Sequence, residues 1–191
     1  MVGFARTIGF LSTTDGHRLF GVKTSSGTPP IAAFPTTAFK EWASIVLALE
    51  RRQQDLVFRK GGIGEEGRGF AVDHDRFHLF PTYFHQQQAG IRDTHAALFE
   101  EAMRARPGEG RLVITSWVEV KRSFVIASER DLEPLASRHI YAPHVLIDRL
   151  HGRHGTALYA LEVEVHRHEV PLQLPLLDRY AGCRSWVDLE I

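Results

Sequence analysis

The residues best suited to chemistry crowd between positions 59 and 86. Arg59-Lys60-Gly61-Gly62 closes an apolar run, Glu65-Glu66 follows, and then come His74-Asp75-Arg76, Thr82-Tyr83 and His85-Gln86. A strand that ends in Arg-Lys and opens into Gly-Gly exposes consecutive backbone N–H groups beside two cations, which is what an anion needs. Glycine at both positions lets the backbone approach a phosphate with no Cβ in the way. Neither a Walker pattern nor G-x-G-x-x-G accompanies it, and the same segment also reads as a solvated turn in which Gly61 and Gly62 only set the geometry. The expected ligand set is Arg59, Lys60, Gly61, Gly62, Arg76, Thr82, Tyr83, His85 and Gln86. A rival chemistry has Glu65, Glu66, His74 and Asp75 holding a cation or acting as acid and base, with Lys60 stabilising developing charge. His74 and Asp75 can cooperate only in a turn, because adjacent strand residues point to opposite faces. His85 reads equally as a structural histidine bonded to a backbone carbonyl.

Histidine is the second feature, with 11 in 191 residues. In Tyr-Ala-Leu-Glu-Val-Glu-Val-His-Arg-His, the residues Tyr159, Leu161, Val163 and Val165 alternate with Glu162, Glu164, His166 and His168. His-x-His on a strand sends both imidazoles to one side, about 7 Å apart at Cα, a span one metal can bridge. Glu164 is the natural third ligand beside His166 and His168. A solvent-facing polar edge gives the same pattern. His151 and His154 flank a loop. Cys183, with Arg184 beside it, reads as a nucleophile or as a small buried hydrophobe.

The elements that must position these groups follow from pattern. Residues 1–23 read as a hairpin turning at Asp15-Gly16, and Pro29, Pro30 and Pro35 mark an extended linker. This gives an N-terminal hairpin and linker over 1–37 and a main domain over 38–191. Phe39, Trp42, Ala43, Val46 and Leu49 recur at three- and four-residue steps, predicting a helix capped by Thr37, with Lys40 and Glu41 in solvent and Arg51-Arg52 in its last turn. Short strands cover DLVFRK and GFAVDHDRFHLFPT, the second with a turn at Asp73–Asp75. A helix capped by Thr94 presents Leu98, Phe99, Ala102 and Met103 and stops at Pro107-Gly108. A long strand, bent near Lys121-Arg122, runs from Arg111. Two short helices follow, with Pro143 suited to a first turn, then a long strand ending near Pro175 and a final strand that pairs back into the sheet. Strict βαβα alternation is missing, so the expected class is α+β: a mixed, mostly antiparallel curved sheet with helices packed on one side.

Composition bounds the rest. Lys plus Arg and Asp plus Glu are both 23, hydrophobic residues are 43% and charged residues 24%. That is globular composition, and it excludes a strongly basic nucleic-acid wrapper. One cysteine excludes an intrachain disulfide. No apolar run reaches the roughly 18 residues of a membrane span, and the opening residues are not expected to be a signal peptide. A reducing cytoplasm is the expected compartment.

AFKEWA, RKGGIGEEGRGF, HDRFHLFPTYFHQ and YAGCRSWVDL together resemble an uncharacterised bacterial family, domain of unknown function 1802, over roughly residues 38–189. RKGGI and FPTY–HQ carry the specificity; Gly64 and Phe84 depart from the pattern. The resemblance implies a bacterial protein and supplies neither an activity nor a cofactor. The expected function is binding of a phosphorylated ligand, a nucleotide or nucleic-acid backbone. The alternatives are a metal-assisted phosphoester hydrolase or nuclease, and an interaction protein without a catalytic site.

Overall fold

The structure is a computed structural model and describes residues 35–60, 74–84, 86–152, 158–182 and 184–191. In chain order the elements are strand β1 (Thr37–Trp42), helix α1 (Ala43–Glu50), strands β2 (Leu56–Lys60) and β3 (Arg76–Thr82), helix α2 (Ala96–Arg104), strand β4 (Arg111–Ile126), helix α3 (Pro143–His151), and strands β5 (Leu158–Pro175) and β6 (Trp186–Asp188). Among the described residues the strands form one sheet in the order β2-β5-β4-β3-β1-β6. The β1–β3 pair is parallel and the other pairs are antiparallel. The fold is α+β with a mixed, mostly antiparallel open sheet, as the sequence predicts. No helix among the described residues is long and apolar enough to cross a membrane.

The β4–β5 ladder sets the shape. It runs from Arg111↔Pro175 to Ile126↔Leu158, with irregularities between Ile114 and Ser116 and between Val120 and Arg122. The second lies where Lys121-Arg122 predicts a bend. Bulges increase local twist and bend a strand, and the sheet curls until its two edge strands approach. The Arg59 guanidinium of β2 lies 5.3 Å from the ring centroid of Trp186 on β6.

The first predicted helix is corrected. Residues 37–42 form a strand, and the helix begins only at Ala43. β1 has hydrogen-bonded neighbours on both sides, β3 and β6, so cross-strand pairing overrides the helical spacing of Phe39, Trp42 and Val46. Thr37 is therefore a strand residue rather than a cap; its Oγ1 donates to Asp188 Oδ1 at 3.2 Å. Glu41, expected in solvent, is 4% exposed. Glu50 ends α1, so Arg51 is the capping residue and Arg52 takes a left-handed φ of 58° beyond it. Thr94 does not cap α2 either: His95 occupies that position without a side-chain cap.

Ile45, Val46 and Leu49 of α1, Leu98 of α2 and Leu146 of α3 join one buried cluster with Phe77, Leu79, Val118 and Leu161. A smaller cluster of Ala38, Phe80, Leu112, Ile114, Tyr180, Val187 and Leu189 contains none of these helices' residues. The helices thus share one apolar layer. Packing is tight where the turn at Gln88–Gly90 meets Trp42: a Cβ on Gly90 would lie 2.8 Å from two indole carbons. Gly90→Ala is expected to lower stability by about 1–3 kcal/mol in urea unfolding, the cost of overpacking a core.

Candidate functional site

The curl of the sheet leaves a cavity of about 1060 Å³ between the ends of β1, β2 and β3, the start of β4 and the segment after β5. Ligand sites commonly occupy roughly 300–1,000 Å³. Phe39, Trp42, Phe58, Phe80, Tyr83 and Tyr180 give it aromatic walls. Among the described residues, seven basic side chains and three acidic ones line it. Arg59 and Lys60 come from the end of β2, Lys40 from β1, Arg149 from α3, Arg106 from the α2–β4 connection, Arg111 from the start of β4, and Arg184 from the approach to β6. The acids are Glu41, Glu109 and Asp178.

Each wall is fixed by a specific contact. Lys60 Nζ donates to the Gly152 carbonyl at 2.8 Å, which ties the end of β2 to the end of α3. Lys40 Nζ donates to the carbonyls of Tyr180 and Gly182 at 2.7 and 2.8 Å and holds that segment against β1. The Arg106 guanidinium lies 5.6 Å from the Tyr83 ring and 5.5 Å from the Phe84 ring. Phe84 is 67% exposed, so this cation–aromatic group stands at the rim. Burial raises the Tyr83 hydroxyl's pKa against the opposing pull of Arg106.

At the inner end stands a buried polar group. The Glu41 carboxylate accepts the Trp42 N–H at 2.8 Å, and Arg149 Nη2 lies 3.9 Å from the same oxygen. Arg149 stacks on the Trp42 and Tyr141 rings, with centroid distances of 5.5 and 4.8 Å. Tyr141 is fully buried, and desolvation, reinforced by Glu41, holds its hydroxyl well above the usual range and so protonated. Thr82 Oγ1 donates to the Glu41 carbonyl at 3.0 Å and joins the end of β3 to β1.

The expected ligand residues divide. Arg59, Lys60, Thr82 and Tyr83 come together on this cavity. Gly61, Gly62, Glu65, Glu66, His85 and Cys183 lie outside the described residues. Arg76 is elsewhere, 4.0 Å from Glu119 and over the Trp117 ring. Gln86 is a buried brace: its Oε1 accepts from Ser44 Oγ at 3.1 Å and its Nε2 donates to Met103 Sδ at 3.0 Å. His74 packs against Trp186 at 5.2 Å, and the Asp75 carbonyl accepts the Val120 N–H at 2.8 Å. Glu41, Arg106, Arg149 and Arg184 were not anticipated as site residues. The one local signal was a cation directly before Pro107-Gly108.

A separate polar face crosses β3, β4 and β5 in register. His78, Trp117 and His166 form one row, and Arg76, Glu119 and Glu164 the next. His166 stacks on Trp117 at 4.2 Å, whereas His168 Nε2 lies 3.1 Å from His78 Nδ1. The expected trio of Glu164, His166 and His168 is thus redistributed. Glu119, Glu164 and His166 bring one ligand atom each within 4.8 Å of one another, and His168 turns to His78. Lys121 Nζ lies 2.6 Å from Glu164 and 3.5 Å from Glu119, so the cation among these carboxylates is the protein's own. Its hydrogen bond keeps the Glu164 carboxyl below the usual range. EDTA is expected to leave Tm unchanged, and a large fall in a melting scan would contradict this.

A family model described as "Domain of unknown function (DUF1802)" matches residues 38–191. No curated protein matches the chain. Among solved structures, the chain is similar to the ASCH protein from Zymomonas mobilis, with 10% identity, a TM-score of 0.47, and coverage of 81% of this chain and 87% of that one. It is similar to a single-residue mutant of that protein at 10% identity and a TM-score of 0.46, over 81% of this chain and 89% of that one.

Proposed function

We propose that this chain, which belongs to the DUF1802 family, binds a phosphorylated ligand, a nucleotide or a stretch of nucleic-acid backbone, in the basic aromatic cavity. The observation that carries the reading is the convergence of seven basic and three acidic side chains, from five separated segments, on one cavity. Like charges gathered in a concave surface repel one another and raise the local potential, an arrangement that favours an anionic occupant. Lys60 has three ammonium donors, of which Gly152 accepts one. Arg59 beside it offers a planar fork suited to phosphate oxygens. Trp42, Tyr83 and Phe84, the aromatic lining residues that are not buried, supply flat apolar surface for a base.

The hydrolase alternative needs a cation held by Glu65 or Glu66 with His74 and Asp75; the two glutamates lie outside the described residues, and among the described residues His74 packs on Trp186 instead. The two readings separate in melting scans with nucleoside monophosphates and diphosphates, a short oligonucleotide, and Mn²⁺ or Zn²⁺. Whatever binds only the folded state raises Tm. Stabilisation by nucleotide without metal is expected. Stabilisation by metal alone would favour the hydrolase, and no response to any phosphorylated compound would overturn the binding reading.

A further inference from the structure

We propose that the ligand is a stretch of at least two phosphodiester-linked nucleotides, that its second nucleoside lies in a smaller cavity next to the basic one, and that Arg111 holds the phosphate between the two units. This rests on the phosphorylated-ligand reading above. The smaller cavity, of about 360 Å³, lies between α1, the end of α2 and the start of β4. Pro81, Tyr83, Pro107, Gly108, Arg111 and Val113 line both cavities, so the two share a wall.

The two cavities differ in charge. Seven bases and three acids line the larger one, whereas among the described residues one base, Arg111, and one acid, Glu50, line the smaller. Glu50 is already answered within the protein. Its side chain is 5% exposed, its carboxylate accepts the Thr115 hydroxyl, and Arg167 Nη2 lies 3.8 Å away. Val46, Leu47, Ala102 and Ala105 add apolar wall. A near-neutral cavity with apolar walls suits a nucleoside rather than a second phosphate. The phosphate that joins this nucleoside to the first unit then belongs at the shared wall, where Arg111 stands. Arg111 is exposed, and its Nη2 donates to the Gln173 amide oxygen at 2.6 Å, a neutral partner that leaves the positive charge in place. A guanidinium has five N–H donors, and this bond engages one. Its planar fork matches two oxygens of a phosphate.

The test is a calorimetric titration of the full chain with UMP, UDP, the dinucleotide pUpU and its deoxy counterpart pdUpdU, repeated with Ala105→Glu and Arg111→Gln, with melting followed in parallel. UDP adds a second phosphate to UMP without a second nucleoside. The better-bound dinucleotide, which also identifies the sugar, is expected to bind wild type about tenfold more tightly than UMP or UDP. Ala105 is exposed and lines the smaller cavity but not the larger. Glutamate there adds bulk and negative charge, and is expected to abolish the dinucleotide advantage while UMP binds as it does to wild type. Arg111→Gln removes the charge at the shared wall and is expected to weaken dinucleotide binding about tenfold. Equal affinity of wild type for UMP and both dinucleotides overturns the proposal. So does UDP binding as tightly as the better dinucleotide, or an advantage that survives in either folded variant. Failure of UMP, UDP and both dinucleotides alike overturns instead the reading on which it rests.

Discussion

Lowering the pH from 6.5 toward 4 is expected to remove several kcal/mol of stability, with His78 and His139 as the main source. Both rings are buried, His78 at 0% and His139 at 5% exposure. Desolvation, aided by His168 beside His78 and by Arg92 near His139, lowers each pKa from 6.5 to about 4. The fold therefore prefers the neutral ring. The stabilisation is complete above pH 6.5, where the unfolded chain also holds neutral histidine. It is lost as the pH falls, because unfolded histidine takes up a proton that the folded ring refuses until about pH 4. Each ring contributes up to about 3 kcal/mol across that window. Urea unfolding at several pH values reads the loss, and proton NMR of the ring C–H signals reads the site. His139→Phe, which keeps an aromatic ring against Phe58, is expected to halve the acid sensitivity. Titration of both rings near 6.5 would contradict the account.

Removing Arg149 is expected to cost about 3 kcal/mol, near the lower end for breaking a buried ion pair because the gap is wide and the guanidinium partly exposed. Arg149→Ala leaves the Glu41 carboxylate at 4% exposure with only Trp42 and Tyr141 as neighbours of known contact. It also strips the guanidinium from two aromatic faces. Arg149→Lys should recover part of the loss through charge but not the planar stacking. The double variant Glu41→Gln, Arg149→Ala should be more stable than Arg149→Ala alone, because no uncompensated charge remains. Chemical denaturation decides it: a loss under about 1 kcal/mol in Arg149→Ala would mean that the carboxylate is not held as described.

Much of the architecture was legible because it rests on local chemistry. The alternation in residues 158–168 is a strand, Pro143 opens α3, and Lys121-Arg122 marks an irregularity in β4. β1 was misread because Phe39, Trp42, Val46 and Leu49 keep helical spacing across a strand–helix junction; only its pairing with β3 and β6 decides the conformation. The same error hid Glu41, assigned to solvent on a helix that does not exist there. Arg59, Lys60, Thr82 and Tyr83 are legible because each pair stands at the end of a short apolar strand. Arg106 and Arg149 were not, since the β4–β5 bulges and the resulting curl bring them to the cavity from distant segments. His168 was assigned to His166 by strand parity, and its contact with His78 depends on sheet order that no local pattern encodes.

The central claim is that the cavity holds a phosphorylated ligand through its basic walls. Calorimetric titration of a nucleoside diphosphate against wild type, Lys60→Ala and Arg106→Ala, with melting followed in parallel, tests it most directly. Each charge-assisted hydrogen bond contributes about 1.5–3 kcal/mol, so each variant should bind about tenfold or more weakly, with Arg106→Ala melting near wild type and Lys60→Ala folded but melting lower, since it also loses the tie to Gly152. Equal affinity in all three proteins, or no binding by wild type, would contradict the account.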